Sequence, residues 1–322
     1  MRVVIDDAVF AGTDFVIEVL QLFRLALEGR HRVVVDEDGP DYQAWVAALG
    51  RKAQEECNLA LQESAEAEVR EPARREVRVV RKGTNWNASP PQAAVSDALL
   101  LLQRAFRVLV ENSRNDWRFL LAMAKPEQRA ELERRKGRDW LIVENGGGIT
   151  NMRPMVLDWR GDRIARLTSW VLFDSDARRP GQPSGDAMKL RKGCGAHIKH
   201  HMLERRAIEN YVTRHALEHW GKMKGTMARV RAFYSMPNPH QRSFFNMKGG
   251  FKDDEASAEK VAEDLYGQHA LAPALRQQLA PGFGTKLRDV FGDGHVRTAD
   301  LIEDGSFTEM NGAVTELLAW MR

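Results

Sequence analysis

Residues Ser169 to Arg178 read S-W-V-L-F-D-S-D-A-R, and the predicted fold is organised around them. The first half of this segment, Trp170 to Phe173, is a short apolar run of β-prone residues, typical of a strand buried on both faces of a parallel sheet. Asp174 and Asp176 follow at the carboxyl end of this strand, where open α/β sheets bind their ligands. Side-chain alternation predicts that both carboxylates point to the same side, and paired hard oxygen ligands are typical of half a Mg²⁺ site.

The segments before this strand predict two further strand–helix units. Phe106 to Val110 is an apolar strand followed at once by Glu111, and a helix is predicted around Trp117 to Met123. Trp140 to Val143 is the next strand, and it ends close to a turn at Gly146 to Gly148. This turn lacks the G-K-[ST] of a P-loop, which favours a tight strand-to-helix connection, with phosphate binding at the helix N-terminus as the alternative. The order strand, helix, strand, helix, strand predicts a parallel sheet with right-handed crossovers.

Residues 1–91 predict a small α/β module of their own. Val3 to Ile5 and Arg32 to Val35 are its strands, and the Gly-, Asn- and Pro-containing stretch Gly83 to Pro91 is the predicted linker. About the first fifty residues resemble the start of PIN-type nuclease domains, with Asp6 in the position of the first acidic residue. No later acidic pair in a strand context completes such a site. We therefore expect a structural or partner-binding module.

The remaining chain divides into two predicted parts. Residues 92–252 form the α/β domain around the D-x-D strand, and residues 253–322 form a mainly helical C-terminal region. The clearest helices of that region are predicted over Ala256 to Tyr266 and Gly312 to Met321. The sequence thus predicts an α/β protein with a parallel sheet flanked by helices, a small α/β module before it and helices after it.

Charge is unevenly distributed along the 322 residues, although the net charge is only +3. Residues 1–100 carry 12 Lys and Arg against 17 Asp and Glu, whereas residues 185–252 carry 14 against 4 and six histidines besides. A basic segment beside acidic side chains suits a polyanionic substrate, with a solvated basic face as the alternative.

Cysteine content and hydropathy bear on the compartment. Cys57 and Cys194 are the only cysteines, so no disulfide framework is indicated and a reducing cytoplasm is expected. The chain meets acidic residues too early for a signal-peptide core, and no stretch is apolar enough to cross a membrane. We therefore expect a cytoplasmic protein without a membrane partner.

A glutamate after the first strand of the α/β domain and a D-x-D after its third resemble the signature of the Toprim family. This is the metal-binding domain of topoisomerases, bacterial primases and the overcoming-lysogenization-defect (OLD) nucleases. The matching residues are Glu111, Asp174 and Asp176. The resemblance implies a Toprim-like sheet over roughly residues 106–248 and a divalent cation, Mg²⁺ or Mn²⁺, held by these three carboxylates.

Further matches point to the OLD-type nucleases in particular. Their glutamate is usually followed by Gly and, four residues on, by Asp; this chain has Asn112 and Asn115 at those places, and Asp116 one residue later. Their E-N-Y motif is matched at Glu209, and their later lysine before glycine at Lys248. The resemblance implies a second cation site built by Glu209 with Asp116, and a lysine that faces the phosphate as a point charge.

The function implied is a metal-dependent nuclease that cleaves phosphodiester bonds, serving bacterial defence against phage. One or two Mg²⁺ or Mn²⁺ ions would neutralise the scissile phosphate and lower the pKa of a water molecule. The expected partners are nucleic acid, DNA in preference to RNA, further copies of the chain, and a separate ATPase subunit, because the chain itself has no Walker A motif.

Two other functions compete with this one. In a haloacid-dehalogenase-type phosphohydrolase, Asp174 would be the nucleophile and Gly292-Asp293-Gly294 the acidic loop, but Arg178 stands where that motif has Thr or Val. The second is a catalytically silent subunit that binds nucleic acid or a partner. For Glu209 the alternative is a structural role, in which its side chain caps a helix or forms an ion pair with Arg205 or Arg206.

One further cluster has metal-ligand residue types. Cys194, His197, His200 and His201 read C-x2-H-x2-H-H, which could hold Zn²⁺. Because no second Cys/His pair lies at suitable spacing, phosphate contact or plain surface is the favoured interpretation.

Overall fold

The computed structural model describes residues 1–256, 262–267 and 269–321. It consists of two compact units. The N-terminal unit comprises residues 1–106, 136–141 and 316–322, and the second unit comprises residues 107–135 and 142–315. Each contains a four-stranded parallel sheet with helices around it, so the α/β class expected from the sequence is confirmed.

The N-terminal unit is built on a sheet with the strand order β2-β1-β3-β4. Its elements, in chain order, are β1 (Arg2–Ile5), α1 (Val16–Leu27), β2 (Arg32–Val35), α2 (Pro40–Ala48), α3 (Arg51–Arg70), β3 (Glu76–Val80), β4 (Gln92–Ala94) and α4 (Val95–Gln103). Val3 and Ile5 of the central strand β1 are fully buried, as expected for a strand with parallel neighbours on both sides.

The acidic residues that follow β1 have structural partners. Asp6 forms an ion pair with Arg78 at 3.2 Å. Asp7 accepts hydrogen bonds from the backbone N–H groups of Asp41 and Tyr42, at 3.2 and 2.9 Å, and so caps the start of α2. Both carboxylates are therefore engaged by groups within the N-terminal unit.

The N-terminal unit extends beyond the linker expected at Gly83 to Pro91. Gln92–Ala94 form β4, which pairs in parallel with β3, and α4 begins only at Val95. The boundary by contacts therefore lies after Phe106 instead of after Pro91. Edge-strand pairing is a non-local interaction that three residues of weak β-propensity do not announce.

Buried His31 is expected to make the fold sensitive to acid. The residue is 4% exposed, and burial, reinforced by the positive amino terminus, lowers the pKa of its ring to about 3. An unfolded histidine titrates near pH 6.5, so the unfolded state binds more protons below that pH. Stability should therefore be complete above about pH 6.5 and fall by about 1.4 kcal/mol per pH unit below it, down to about pH 3. Urea denaturation of wild type and His31→Leu across this range measures the effect. The exposed His197→Leu is the control, and an unchanged pH slope in His31→Leu would contradict the prediction.

The second sheet has the strand order β6-β5-β7-β8. The elements around it are β5 (Phe106–Val110), α5 (Asn115–Met123), α6 (Pro126–Gly137), β6 (Leu141–Asn145), α7 (Ile149–Gly161), α8 (Arg163–Leu167), β7 (Ser169–Phe173), α9 (Gly185–Cys194) and β8 (Lys199–Met202). All five residues of β7 are buried, because this strand is internal and helices cover it. Val171 and Phe173 pack with Val156 of α7 and Leu190 of α9 in one apolar cluster.

The chain after β8 is helical over the described residues, a pattern that the sequence predicted for residues 253–322 only. A 3-10 helix (Ile208–Tyr211) is followed by α10 (Arg214–Lys224), α11 (Met227–Tyr234), α12 (Pro239–Phe244), α13 (Gly250–Ala256), α14 (Glu263–Tyr266), α15 (Pro273–Leu279), a second 3-10 helix (Thr285–Gly292), α16 (Thr298–Glu303) and α17 (Phe307–Met321). Of the helix predicted over Ala256 to Tyr266, residues 257–261 lie outside the described residues. In the described ranges every helix is too short or too polar to span a lipid bilayer.

Candidate active site

Glu111 lies at the carboxyl edge of the second sheet, directly after β5. Since β5 and β7 are parallel neighbours, the residues that follow them meet at this edge, and the backbone N–H of Asp174 donates to Glu111 Oε1 at 3.0 Å. The turn after β6 supports the same backbone: the N–H groups of Gly146 and Gly147 donate to the carbonyl oxygens of Val110 and Glu111, at 2.7 and 3.0 Å. The glycine turn thus fixes the backbone from which the Glu111 side chain extends.

The two aspartates of the D-x-D are held by the segment that follows β8. Asp174 is 8% exposed, and its Oδ1 accepts a hydrogen bond from the N–H of Ile208 at 3.1 Å. Asp176 is exposed, has a left-handed φ of 47°, and donates its N–H to the carbonyl of Arg206 at 2.8 Å. Because β7 ends at Phe173, strand alternation does not set the direction of either carboxylate. Loop contacts do.

Asp116 lies in the first turn of α5, directly after the loop that leads from β5. It is 7% exposed, and its Oδ2 accepts from the N–H of Asn112 at 2.8 Å. Asn112 in turn accepts from the N–H of Asn115 through its side-chain Oδ1, at 3.0 Å. The two asparagines that depart from the OLD pattern therefore close this turn. Burial, and then the nearby carboxylate of Glu209, raises the pKa of Asp116.

Glu209 is the most deeply buried member of the site. It is 1% exposed, and neither of its carboxylate oxygens has a hydrogen-bond partner among the described residues. The Lys248 Nζ lies 3.3 Å from Oε1 as an ion pair, while the lysine side chain itself is 40% exposed. The alternative pairing with Arg205 or Arg206 is wrong. Arg206 binds Asp254 with two hydrogen bonds of 2.7 Å, and Arg205 donates to the Asn210 carbonyl at 2.8 Å.

The rest of the E-N-Y motif is structural. The Asn210 side chain donates to the carbonyls of Arg242 and Phe245, both at 2.9 Å. The Tyr211 hydroxyl donates to the Glu309 carboxylate, at 2.6 Å to Oε2, and Glu309 also accepts from the Glu204 N–H at 2.9 Å. Glu309 lies in α17, and nothing in the sequence pointed to it. Together these bonds fix the short helix that carries Glu209.

Removing the Tyr211 hydroxyl should therefore weaken the second unit. Tyr211→Phe leaves buried Glu309 with fewer donors, and we expect a loss of roughly 1–3 kcal/mol in the free energy of unfolding. Tyr234→Phe is the matched control, because no described residue hydrogen-bonds the Tyr234 hydroxyl. Chemical denaturation of the two variants measures the difference, and equal stabilities would show that the Tyr211–Glu309 bond contributes nothing.

The backbone of Lys248 is held by the loop that contains Gly282 and Gly284. The Phe283 and Gly284 N–H groups donate to the carbonyls of Met247 and Lys248, at 2.7 and 2.9 Å. A Cβ at Gly282, where φ is 59°, would lie 2.5 Å from the Gly250 nitrogen and 2.6 Å from the Lys248 carbonyl oxygen. The close approach of the two loops therefore requires glycine at position 282.

This contact also predicts a loss of stability on substitution. Gly282→Ala should destabilise the protein by roughly 1–3 kcal/mol more than Gly225→Ala, because overpacking is added to the strain of a left-handed alanine. Gly225 has a similar φ of 66°, and a Cβ at this position would meet nothing within 4 Å, so Gly225→Ala isolates the strain alone. Denaturant midpoints of both variants decide, and equal losses would remove the steric contribution.

Crowding of negative charge shifts the titration of the cluster. Burial raises the pKa of Glu111 to about 7 and that of Asp116 to about 6, with neighbouring carboxylates adding to both shifts. The pKa of Asp174 is raised well above its usual range by burial and then by Glu111. The pKa of Asp176 is also raised, chiefly by desolvation, although part of its side chain remains exposed. Burial would lower the pKa of Lys248, but nearby carboxylates, Glu209 first among them, outweigh it and raise that pKa. The Lys248 charge in turn lowers the pKa values of Glu111, Asp116 and Asp174.

The cluster contains the ligand types of a cation site, but its carboxylates are not yet arranged around one point. Among the described residues, no group of three or more His, Cys, Asp or Glu side chains is arranged to hold a metal ion as it stands. Two observations nevertheless fit a hard cation. The ligand types are carboxylate oxygens, and the buried Glu209 Oε2 has no hydrogen-bond donor to satisfy it among the described residues. A cation would provide that missing positive partner.

Other predicted ligands are not brought together. Cys194 is fully buried, the His200 Nδ1 contacts the Ile198 carbonyl at 2.9 Å, and the His201 Nε2 contacts Glu309 at 2.9 Å. The zinc interpretation therefore has no support from these residues. The charged groups that shift the pKa of Asp174 are Glu111, Lys248, Glu209 and Asp176, so Asp293 of the dehalogenase alternative is not among its main partners.

Comparison with known proteins adds no relative. No family model matches the chain, and neither a curated protein nor a solved structure matches it. The interpretation of the site therefore depends on its own geometry and chemistry.

Proposed function

We propose that this protein is a metal-dependent nuclease of Toprim type, which hydrolyses phosphodiester bonds at the carboxyl edge of its second sheet. The observation that carries the proposal is the buried Glu209 carboxylate, unsatisfied at Oε2 by any described residue and set beside Lys248 and the acids that follow β5 and β7. Lys248 lies beside Oε1 only, and a buried carboxylate oxygen without a donor is costly, which favours a further positive ligand at Oε2.

In this proposal five carboxylates hold the cations and one lysine faces the phosphate. Glu111, Asp174 and Asp176 would hold one Mg²⁺ or Mn²⁺ ion, and Glu209 with Asp116 a second. The ions would supply charge neutralisation at the phosphate and a water of lowered pKa. Lys248 is partly exposed while its ammonium reaches Glu209, so it can contact a phosphate oxygen from the solvent side of the cluster.

Hydrogen bonds to the backbone pre-organise these side chains before any substrate binds. Glu111 is oriented by the Asp174 N–H, Asp174 by the Ile208 N–H, and Asp116 by the Asn112 N–H. Each bond uses one carboxylate oxygen and leaves the other for a further ligand. Since positioning costs are met on folding, the groups can act on a phosphate without large rearrangement of the backbone.

A single observation favours a second candidate, a silent nucleic-acid-binding subunit. The Lys248 ammonium already neutralises part of Glu209, as a cation would. One lysine, however, faces five carboxylates, and burial and neighbouring acids raise the pKa values of four of them, Glu111, Asp116, Asp174 and Asp176. This excess of negative charge favours a cation-loaded enzyme. Nucleic acid as partner, DNA in preference to RNA, is part of the same proposal. The ATPase partner, self-association and the role in phage defence rest on the resemblance to OLD-type nucleases alone.

The test measures cation binding and cleavage on the same preparation. Isothermal titration with Mn²⁺ in the absence of nucleic acid should show binding to wild type that is lost in Asp174→Asn. Labelled single- and double-stranded DNA and RNA incubated with Mg²⁺ or Mn²⁺ should show which polymer is cut. Binding of nucleic acid without Mn²⁺ binding or cleavage would establish the silent subunit instead.

A further inference from the structure

A cavity of about 620 Å³ opens beside the D-x-D motif. Ser175 and Ala177, the residues next to the two aspartates in the chain, form part of its wall, and the segment 180–183 lies along it. A ligand in this cavity would therefore contact residues that adjoin Asp174 and Asp176 in the chain. We name it the D-x-D cavity.

The D-x-D cavity is lined by both apolar and polar side chains. Met188 of α9, Met202 of β8 and Phe244 of α12 line it. Gln182 and Arg191 also line it, and neither side chain makes a hydrogen bond or ion pair with another described residue. Of its carboxylates, Glu309 is already engaged by Tyr211 and His201. The cavity thus offers flat apolar contact, a free amide and a free guanidinium.

We infer that the D-x-D cavity takes one unstacked nucleobase of the nucleic-acid strand whose backbone passes the carboxylate cluster, an inference that rests on the proposed nuclease function. A base has apolar faces for contact with Met and Phe side chains and a polar edge for an amide, and its phosphate suits a free arginine. The volume lies in the range of ordinary ligand pockets, about 300–1,000 Å³.

The substrate class follows from this geometry. A base in an intact duplex is stacked on both faces and cannot enter a side cavity until it is extruded. Single strands, overhangs and damaged or mismatched positions present such a base at little cost. The proposal therefore assigns the protein a preference for nucleic acid with an unpaired nucleotide next to the scissile phosphate.

The experiment compares two strands of equal length and charge, an oligothymidylate and an abasic strand, by fluorescence anisotropy in chelator so that cleavage plays no part. Wild type should bind the oligothymidylate about tenfold more tightly, the effect of stacking one base. Met188→Glu should abolish this preference. Met223→Glu makes the same charge change at an exposed methionine of α10 that does not line the cavity, and it should keep the preference.

Arg191 supplies an independent check. Arg191→Gln should weaken both strands about equally, by a factor of about three to ten, because it removes a phosphate contact and not a base contact. Lys192→Gln, at the neighbouring exposed cation outside the cavity wall, should change affinity less. Thermal denaturation confirms that all four variants are folded.

The outcomes separate this inference from the proposed function. Equal wild-type affinity for the two strands, or an unchanged preference in Met188→Glu, overturns the base-binding cavity even if the protein cleaves DNA. A base preference that Met188→Glu removes supports the cavity. If such a protein neither binds Mn²⁺ nor cleaves, the nuclease proposal alone fails.

Discussion

Asp174→Asn is expected to lose nuclease activity and to gain stability. The asparagine Oδ1 can still accept the hydrogen bond from the Ile208 N–H, so the loop after β8 keeps its anchor. The negative charge that would hold the cation is gone, and cleavage in Mg²⁺ or Mn²⁺ should fall by about 10³-fold or more, since several kcal/mol of electrostatic stabilisation are removed.

The gain in stability has a separate cause. Asp174 is buried, and burial and then the neighbouring Glu111 raise its pKa, so its ionised form is costly in the folded protein. Replacing it by a neutral isostere should increase the free energy of unfolding by roughly 0.5–2 kcal/mol. Single-turnover cleavage and urea denaturation measure the two effects. Asp158→Asn, an exposed carboxylate of α7, is the control and should change neither. An active Asp174→Asn would remove the D-x-D from the active site.

Glu209→Gln is the second variant with a large expected effect. The glutamine keeps the volume of the buried side chain but replaces the negative carboxylate beside Lys248 with a neutral amide. Cleavage should slow by a factor on the order of 10², because one of two cation sites is impaired while the other remains. Mn²⁺, less strict about ligand geometry than Mg²⁺, should restore part of the rate.

Nucleic-acid binding distinguishes this prediction from simple misfolding. Removing a negative charge beside a phosphate cannot weaken attraction, so filter binding of Glu209→Gln in chelator should equal or exceed that of wild type. Glu127→Gln, at an exposed position in the first turn of α6, controls for the substitution itself. Wild-type cleavage rates from Glu209→Gln would exclude the E-N-Y glutamate from catalysis and leave only Glu111 and the D-x-D.

The sequence alone could predict the elements whose signal is local. The five buried residues of β7 and the apolar strand β5 show their environment in their own composition, and the acids that follow them could be placed at one sheet edge from the parallel order. Lys248 and Glu209 were identified by resemblance, although no local pattern indicates that their side chains form an ion pair.

The parts that sequence reasoning missed are those with weak local signals. β8 reads K-H-H-M and is an edge strand with partly exposed side chains, so its composition resembles a polar surface segment. β4 has three residues of low β-propensity, and pairing with β3 alone makes them a strand. In both, the stabilising interaction comes from a neighbour distant in the chain.

The α/β class, the places of the strands β5 and β7 in the chain and the identity of the acids that follow them were therefore predictable, because strand burial shows in the composition of a few neighbouring residues. Tertiary structure decided the rest: that Glu209 is buried without a hydrogen-bond partner among the described residues, that Lys248 reaches it, and that Glu309 anchors Tyr211 from 98 residues away. These contacts depend on chain closure over long separations, and the free energy that selects them comes from packing and desolvation of the whole unit.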